Sequence, residues 1–426
     1  MNLREFLEQQ NIKRIKKEVD PRYELAAIQN QIRDIALYEN VNSEYQVVSG
    51  ICSKRQYFAD ALGIKKEEII KKMASAIEKP TKNEIVQKAP CQEKIEAPDL
   101  DTIPILTHFK TDGGPYITSG IAIIKDPDYG VNACYHRLMK TSKNTFTARI
   151  IEGRGTHTAL KKTDELEVAI CIGAPMQVLL SASMSPEKGI NELEIANYLR
   201  ETPLVKCRTK DLEVPAESEL VLEGTITKEC GVEGPFVDLT NTIDKERSQP
   251  VLRIDKITHR ENPIYHALLP AGEEHKNLMG MPREPTMFHE VNKQCECKNV
   301  LITPGGCSWL HAVIQIKKKN KDDGLKAINQ AFKGHGSLKH CVIVDEDINI
   351  YDPEDVEWAI ATRFQADKDM VVKKDQPSSS LDPSADKPEG EKARTSKMGL
   401  DATKPGYSEE FGKKHYEDID LNEFSD

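Results

Sequence analysis

Nowhere do the 426 residues run through the roughly 18 consecutive apolar positions that a membrane crossing requires. The N-terminus, MNLREFLEQQ, is charged from its fourth residue and lacks the apolar core of a secretory signal. No membrane association is expected, and the expected location is cytoplasmic. Long basic blocks are missing as well. Lys+Arg 59 against Asp+Glu 69 leaves a net charge of −10 spread along the chain, with no run that could track a phosphate backbone, which argues against nucleic acid as a partner. The ten cysteines are scattered; only Cys295 and Cys297 sit close, as C-x-C without a second pair to complete a tetrahedral zinc set, so all ten are read as reduced thiols. Gly113-Gly114-Pro115 and Gly305-Gly306 lack the spacing of a phosphate loop or a dinucleotide fingerprint.

What is present is enough apolar material, 38% of residues, to fill the cores of about two or three domains. The expected class is α/β in the broad sense, mixing α/β and α+β parts. Residues 1–105 read as a helix-rich α/β segment that ends in a polar stretch around Lys79-Pro80 and Ala97-Pro98. A β-rich central domain is expected over 106–297. It opens with a hairpin, GIAIIK and VNACYHRLMK joined by the turn Asp126-Pro127-Asp128-Tyr129-Gly130. Val168–Gly173 is a continuous apolar run suited to a buried strand, and Leu204–Cys207 and Glu219–Glu223 add further strands. Between them Asn191 caps a helix, with Glu194 three residues on and Leu193, Ala196 and Leu199 as its apolar stripe. Residues 298–426 read as an α/β domain: strand NVLITP, helix GLKAINQAF, strand HCVIVDEDINI, then a helix opened by Asp352 with Pro353 in its first turn. The Pro-, Ser-, Asp- and Lys-rich stretch 371–395 has the composition of a flexible linker.

Chemistry concentrates in Glu233-Gly-Pro-Phe-Val-Asp238, which sets two carboxylates on either side of a rigid turn. Alone, such a pair is most often a solvated loop, and the catalytic reading needs a cation. Arg137 supplies one, on a strand whose flanks Cys134, Tyr135, Leu138 and Met139 are mostly apolar, where a lone buried guanidinium is costly. An edge arginine snorkelling to solvent is the competing reading. An arginine between two acids can hold a substrate carboxylate bidentately while one acid handles a proton. Asn132, His157 and Glu192 suit a hard divalent cation in ligand type, although each also has an ordinary role as a strand start, a surface histidine and a first-turn acid. Asp345, Glu346 and Asp347 read as a solvated turn after a strand and are left out of the site.

These residues fall in segments that resemble the UbiD-type decarboxylases, which use prenylated FMN. The matching segments are DGGPYIT at 112–118, the Asn132 to Arg137 strand, Ser183-Met184 to Glu192, LVKCRTKDLEVPAESELVLEGTI, EGPFVD, SSSLDPSAD and SKMGLDATK. The resemblance implies a split β-barrel flavin-binding centre and a C-terminal domain that forms a homo-oligomer and carries a cofactor-covering tail. It implies a Glu-Arg-Asp triad at Glu233, Arg137 and Asp238, and a manganese ion, or magnesium, held by Asn132, His157 and Glu192 against the cofactor phosphate. A potassium ion is implied beside it, on carbonyls of Ser183-Met184. The implied cofactor contacts also include Thr156 and Lys397, and a flavin prenyltransferase would supply the cofactor. Asn132 and Arg137, five positions apart, would face opposite sides of a regular strand, so a bulge or a cofactor spanning both directions is needed. GEEHKNLMGMPREP at 272–285 is similar to the archaeal branch, which converts trans-anhydromevalonate 5-phosphate to isopentenyl phosphate; Lys276, His275 and Arg283 are available there for a substrate phosphate, or form a solvated charged loop. The alternatives are a decarboxylase of an aromatic acid such as a 4-hydroxy-3-polyprenylbenzoate, and a flavin-binding module without catalysis.

Overall fold

Long-range strand pairing decides how the chain is divided. The computed structural model describes residues 1–387, 392–405 and 413. It forms two compact units, Met1–Pro285 with Pro304–Trp309 and Ser380–Pro383, and Thr286–Thr303 with Leu310–Ser379 and the described residues from Ser384 onward.

The first unit is built on a nine-stranded sheet whose path runs Tyr116–Ile117, Leu138–Lys140, Thr145–Ala148, Arg247–His259, Leu220–Glu233, Leu166–Ile172, Ile121–Asp126, Gly130–Tyr135, with Lys94–Glu96 added on Arg247–His259. Its ladders are antiparallel, and among the described residues the two end strands do not pair with each other, in keeping with a barrel that stays split. The apolar run of Leu166–Ile172 is continuous because both faces are covered. Ala169 and Cys171 pack with Ile121 and Ile123 in one core, while Val168, Ile170 and Ile172 pack with Ala122 and Ile124 in another. Where the long strands slip register at Glu223/Gly224, a Cβ on Gly224 would lie 2.3 Å from the Arg253 carbonyl oxygen, so the bulge requires glycine. The expected hairpin turn forms, with Asp126 Oδ1 accepting from the backbone of Asp128 and Tyr129.

The strand expected to run through Arg137 ends earlier. Gly130–Tyr135 stops at Tyr135, and after His136 and Arg137 the chain joins Leu138–Lys140, which pairs with different neighbours. Neither a bulge nor a cofactor of unusual reach is needed, since Asn132 and Arg137 do not share a strand. A smaller sheet of the same unit orders Lys13–Ile15, Ala36–Tyr38, Gln46–Ser49 and Ile264–His266, so its last strand comes from more than 200 residues downstream.

The second unit holds a five-stranded mixed sheet ordered Glu296–Ile302, His311–Lys317, His340–Asp345, Arg394–Asp401, Met370–Pro377, with helices Asp323–Gly334 and Pro353–Arg363. Three sequence expectations are corrected here. His311–Lys317 is a strand between Glu296–Ile302 and the first helix. The segment read as a linker begins with the edge strand Met370–Pro377, whose half-exposed, lysine-bearing pattern suits a sheet edge; residues 388–391 of that segment lie outside the described residues, as does most of the tail beyond 405. Asp345 and Asp347 are not a solvated turn. Asp345 is buried and accepts the Lys404 amide at 2.6 Å, while Asp347 binds Arg363 at 2.8 Å and Lys404 at 3.0 Å. Burial works to raise the Asp347 carboxyl, but those two cations outweigh it and hold it at about 2. Among the described residues no helix is long and apolar enough to cross a membrane, and all ten cysteines are free thiols.

Candidate active site

Glu233 ends the strand Leu220–Glu233. Gly234, at φ +101°, and the cis peptide to Pro235 turn the chain into a short hairpin of Phe236–Val237 against Ile243–Asp244, which sets Asp238 and Asp244 on one small element. Arg137 enters from the break between its two strands. Its Nε donates to Glu233 Oε1 at 2.8 Å and its Nη2 to Glu233 Oε2 at 3.0 Å, a bidentate pair. Nη1 donates to Asp238 Oδ2 at 2.9 Å, and Nη2 also reaches Asp244 Oδ2 at 2.8 Å. Glu233 is fully buried, whereas the Asp238 side chain is 20% exposed, so only the latter is open to exchange protons with a ligand or water. Burial opposes the charge of Arg137, yet Glu233, Asp238 and Asp244 raise its pKa above the ordinary arginine value, and it stays cationic. Below the guanidinium lies the Phe236 ring, 4.4 Å from its centroid, and Tyr116 donates to Glu233 Oε1 at 3.2 Å while accepting from the Gly234 amide at 3.1 Å. His275, in the first turn of the helix Glu273–Gly280, accepts from the Ala271 amide through Nδ1; burial, and secondarily the charge of Arg137, pull its pKa down while Asp238 lifts it, which keeps it neutral.

The second expected set is assembled in part. Asn132 Nδ2 donates to Glu192 Oε1 at 2.9 Å, and the Ala133 amide donates to Glu192 Oε2 at 2.9 Å. Burial pushes the Glu192 carboxyl up to about 7, against those two donors. His157 sits in the helix Gly155–Leu160, whose start packs on Asn132 so closely that a Cβ on Gly155 would lie 2.9 Å from Asn132 Oδ1; His157 Nδ1 accepts from the Gly153 amide. Thr156 is buried, and its hydroxyl lies 2.8 Å from His136 Nε2. Because His136 Nδ1 faces the Arg149 carbonyl and must donate to it, the Thr156 hydroxyl is the donor to Nε2. Ser183 donates to the Leu180 carbonyl at 2.6 Å and Met184 is buried beside it. Lys397 belongs to the second unit, on the strand Arg394–Asp401, where its Nζ donates to the Gly336 carbonyl at 2.5 Å.

Sequence reasoning missed Asp244, Arg247 and Tyr116. Arg247 clamps Asp244 through two contacts of 2.6 Å, and the only trace of this in the sequence is the i,i+3 spacing of the pair. Tyr116 stands in DGGPYIT with no acid or base beside it in the sequence to mark its phenol as part of a site; Glu233, its partner, lies 117 residues away.

The family models for 3-octaprenyl-4-hydroxybenzoate carboxy-lyase match the chain over residues 3–77 (N-terminal domain), 83–273 (Rift-related domain) and 276–402 (C-terminal domain), and the chain belongs to this UbiD carboxy-lyase family. Among individual relatives, the chain is 42% identical over 404 residues to an anhydromevalonate phosphate decarboxylase of Methanothermobacter thermautotrophicus, covering 92% of this chain and 93% of that protein. It is also 42% identical to the protein of the same name from Methanosarcina mazei, covering 95% of this chain and 96% of that protein. In structure it is similar to the UbiD-class enzyme HmfF from Pelotomaculum thermopropionicum in complex with FMN, with a TM-score of 0.93, 38% identity and full coverage of both chains. An evolved dimeric form of HmfF in complex with prFMN matches with a TM-score of 0.89 and 36% identity, covering 100% of this chain and 98% of that one.

Proposed function

We propose that the protein removes CO2 without net oxidation from an α,β-unsaturated acid, trans-anhydromevalonate 5-phosphate, to give isopentenyl phosphate, with prenylated FMN as its cofactor. The observation that carries this reading is the largely buried Arg137, held by Glu233 and Asp238, in a chain 42% identical to archaeal anhydromevalonate phosphate decarboxylases. Loss of CO2 from a vinylic carbon leaves an electron pair that no side chain can delocalise, and prenylated FMN, when bound, supplies that electron sink. The residues do the rest. Arg137 binds and orients the substrate carboxylate, and buried Glu233 fixes the guanidinium plane through its bidentate contact. As the C–C bond to the carboxylate breaks and CO2 leaves, Asp238 delivers a proton to the carbon and is reprotonated from water at its exposed edge.

Asn132, His157 and Glu192 fit a divalent cation, Mn2+ or Mg2+, by donor type, and the contact of the first with the third supports a shared site. The Ser183 and Met184 carbonyls would hold K+. Thr156 and Lys397 are assigned to cofactor binding, and a flavin prenyltransferase is the expected supplier. Residues 1–105, 106–297 and 298–426 are taken as the N-terminal, flavin-binding and oligomerisation domains, the last forming a homo-oligomer. His275 and Arg283 remain available to a charged substrate; burial, then the nearby Arg154, push the Arg283 guanidinium down to about 10, as for a cation short of anionic neighbours. The 3-octaprenyl-4-hydroxybenzoate for which the family is named favours an aromatic acid as the second reading.

Enzyme co-expressed with a flavin prenyltransferase and purified without air should decarboxylate the phosphorylated acid in preference to hydroxybenzoates; the opposite preference would sink the assignment. Asp238→Asn should retain cofactor and lose turnover by about 100-fold or more, as removal of a general acid does. Full activity in that variant would refute the proton-donor role.

A further inference from the structure

A cavity of about 580 Å3 opens in the first unit next to the catalytic cluster, of a size that takes a small ligand. Leu239, Thr240 and Asn241 form one wall and follow directly on Asp238, whose Oδ1 accepts the Leu239 amide at 2.7 Å. Ala271, Gly272 and Lys276 form another, on the segment that carries His275. The third, His108 to Lys110, is tied to the catalytic turn, since Asp112 accepts the amides of His108 and Phe109 and the Gly113 amide donates to the Pro235 carbonyl at 2.8 Å. The cavity thus shares its framework with Asp238.

Its chemistry is that of an anion site with an apolar approach. The helix Glu273–Gly280 starts at the cavity with no side chain capping it, so its first-turn amides have no partner within the helix. Among the described residues, two buried polar side chains in the lining are unpartnered: the Ser53 hydroxyl, and His108, whose two ring nitrogens make no hydrogen bond and whose Nδ1 is 3.7 Å from Asp112. Buried polar groups are nearly always satisfied, and their pairing here points to a ligand. Lys276, Lys110 and Arg33 add positive charge. Of the acids in the wall, Glu274 is saturated by Ser49, the amides of Gly50 and Cys52, and His266, while Glu273 makes only a 3.3 Å contact to Lys276 that a stronger anion can replace. Phe109, Leu239 and Leu269 supply the apolar surface.

We propose that this cavity is the subsite for the far end of the substrate, an anionic phosphomonoester tail held by the helix start, Lys276, His108 and Ser53 while the carboxylate meets Arg137. The proposal rests on the function given above and names the residues by which that site selects a phosphorylated acid.

The test uses cofactor-loaded enzyme and two substrates, the phosphorylated acid and its dephosphorylated counterpart. Lys276→Gln and His108→Asn should each raise KM for the phosphorylated acid by about 10- to 100-fold, the loss typical of a charge-assisted contact, and KM for the dephosphorylated one by less than about threefold. Inorganic phosphate should inhibit the wild type competitively and Lys276→Gln weakly. Wild-type activity on the phosphorylated acid with unchanged KM in both variants overturns the subsite and leaves the function standing. If the wild type ignores the phosphorylated acid, the function falls instead; calorimetric binding of inorganic phosphate that Lys276→Gln abolishes then keeps the cavity as an anion site, and no binding overturns it.

Discussion

Arg137 serves three carboxylates, and that number constrains what it can do. Glu233, Asp238 and Asp244 carry three negative charges against the two guanidinium groups of Arg137 and Arg247. In the proposed reaction a substrate carboxylate arriving at Arg137 adds a fourth, so it enters in place of one acid. Asp244 yields most readily, because Arg247 still holds it after it leaves Arg137. Asp244→Asn should therefore lower kcat about tenfold by loosening the guanidinium, with KM at or below the wild-type value because a competitor is gone; an unchanged kcat in steady-state assays would show that Asp244 has no positioning role. Glu233, Arg137 and Asp238 were legible as candidates, two acids across a glycine-proline turn and an arginine among apolar neighbours, but patterning alone left a solvated loop and an edge arginine open, and the family resemblance joined the three. Asp244 was not legible: an acid on the return strand of a two-residue ladder has no spacing signature, and only the pairing of Phe236 with Asp244 brings it back to Arg137.

At the scale of elements, the helix Glu192–Leu199 is the one best read from sequence. Asn191 caps it by accepting the Leu193 amide at 2.9 Å, and the stripe Leu193, Ala196 and Leu199 is buried. Asn191→Ala should cost about 1 kcal/mol of stability, measured by chemical denaturation. An effect below a few tenths would mean that packing alone fixes this helix. The cap matters to the site because Glu192 is the first helical residue and its backbone direction is set there. Elements were missed where local composition and long-range pairing disagree. Met370–Pro377 contains two lysines, an aspartate and a proline and is a strand only because Arg394–Asp401 pairs with it. His311–Lys317 is different: Val313, Ile314 and Ile316 give it strand composition, it pairs antiparallel with Glu296–Ile302 and parallel with His340–Asp345, and its signal was present in the sequence but not used.

For the whole molecule, three half-buried histidines, His136, His275 and His311, set the response to acid. Burial pulls His136 and His311 down to about 4, and lowers His275. Unfolding frees each to bind a proton near the ordinary histidine value of about 6.5, so between those limits the unfolded chain holds more protons and stability falls as pH falls. Glu192, raised to about 7 by burial, works the other way when the proposed metal is not bound, because its folded form keeps a proton that the unfolded form releases. Histidines outnumber it, and metal-free protein should lose about 1–2 kcal/mol between pH 7 and pH 5. A urea midpoint that stays level or rises over that range would contradict the assignment of these groups as neutral in the folded state.

The strand Ile264–His266, lying parallel to Gln46–Ser49, has a consequence for synthesis. As the chain leaves the ribosome, its first fifty residues emerge with an unfilled sheet edge, and the strand that fills it is translated more than 200 residues later. At about 5–20 residues per second that exposed edge persists for about ten seconds or more, long enough to meet another nascent copy or a chaperone before its own partner arrives.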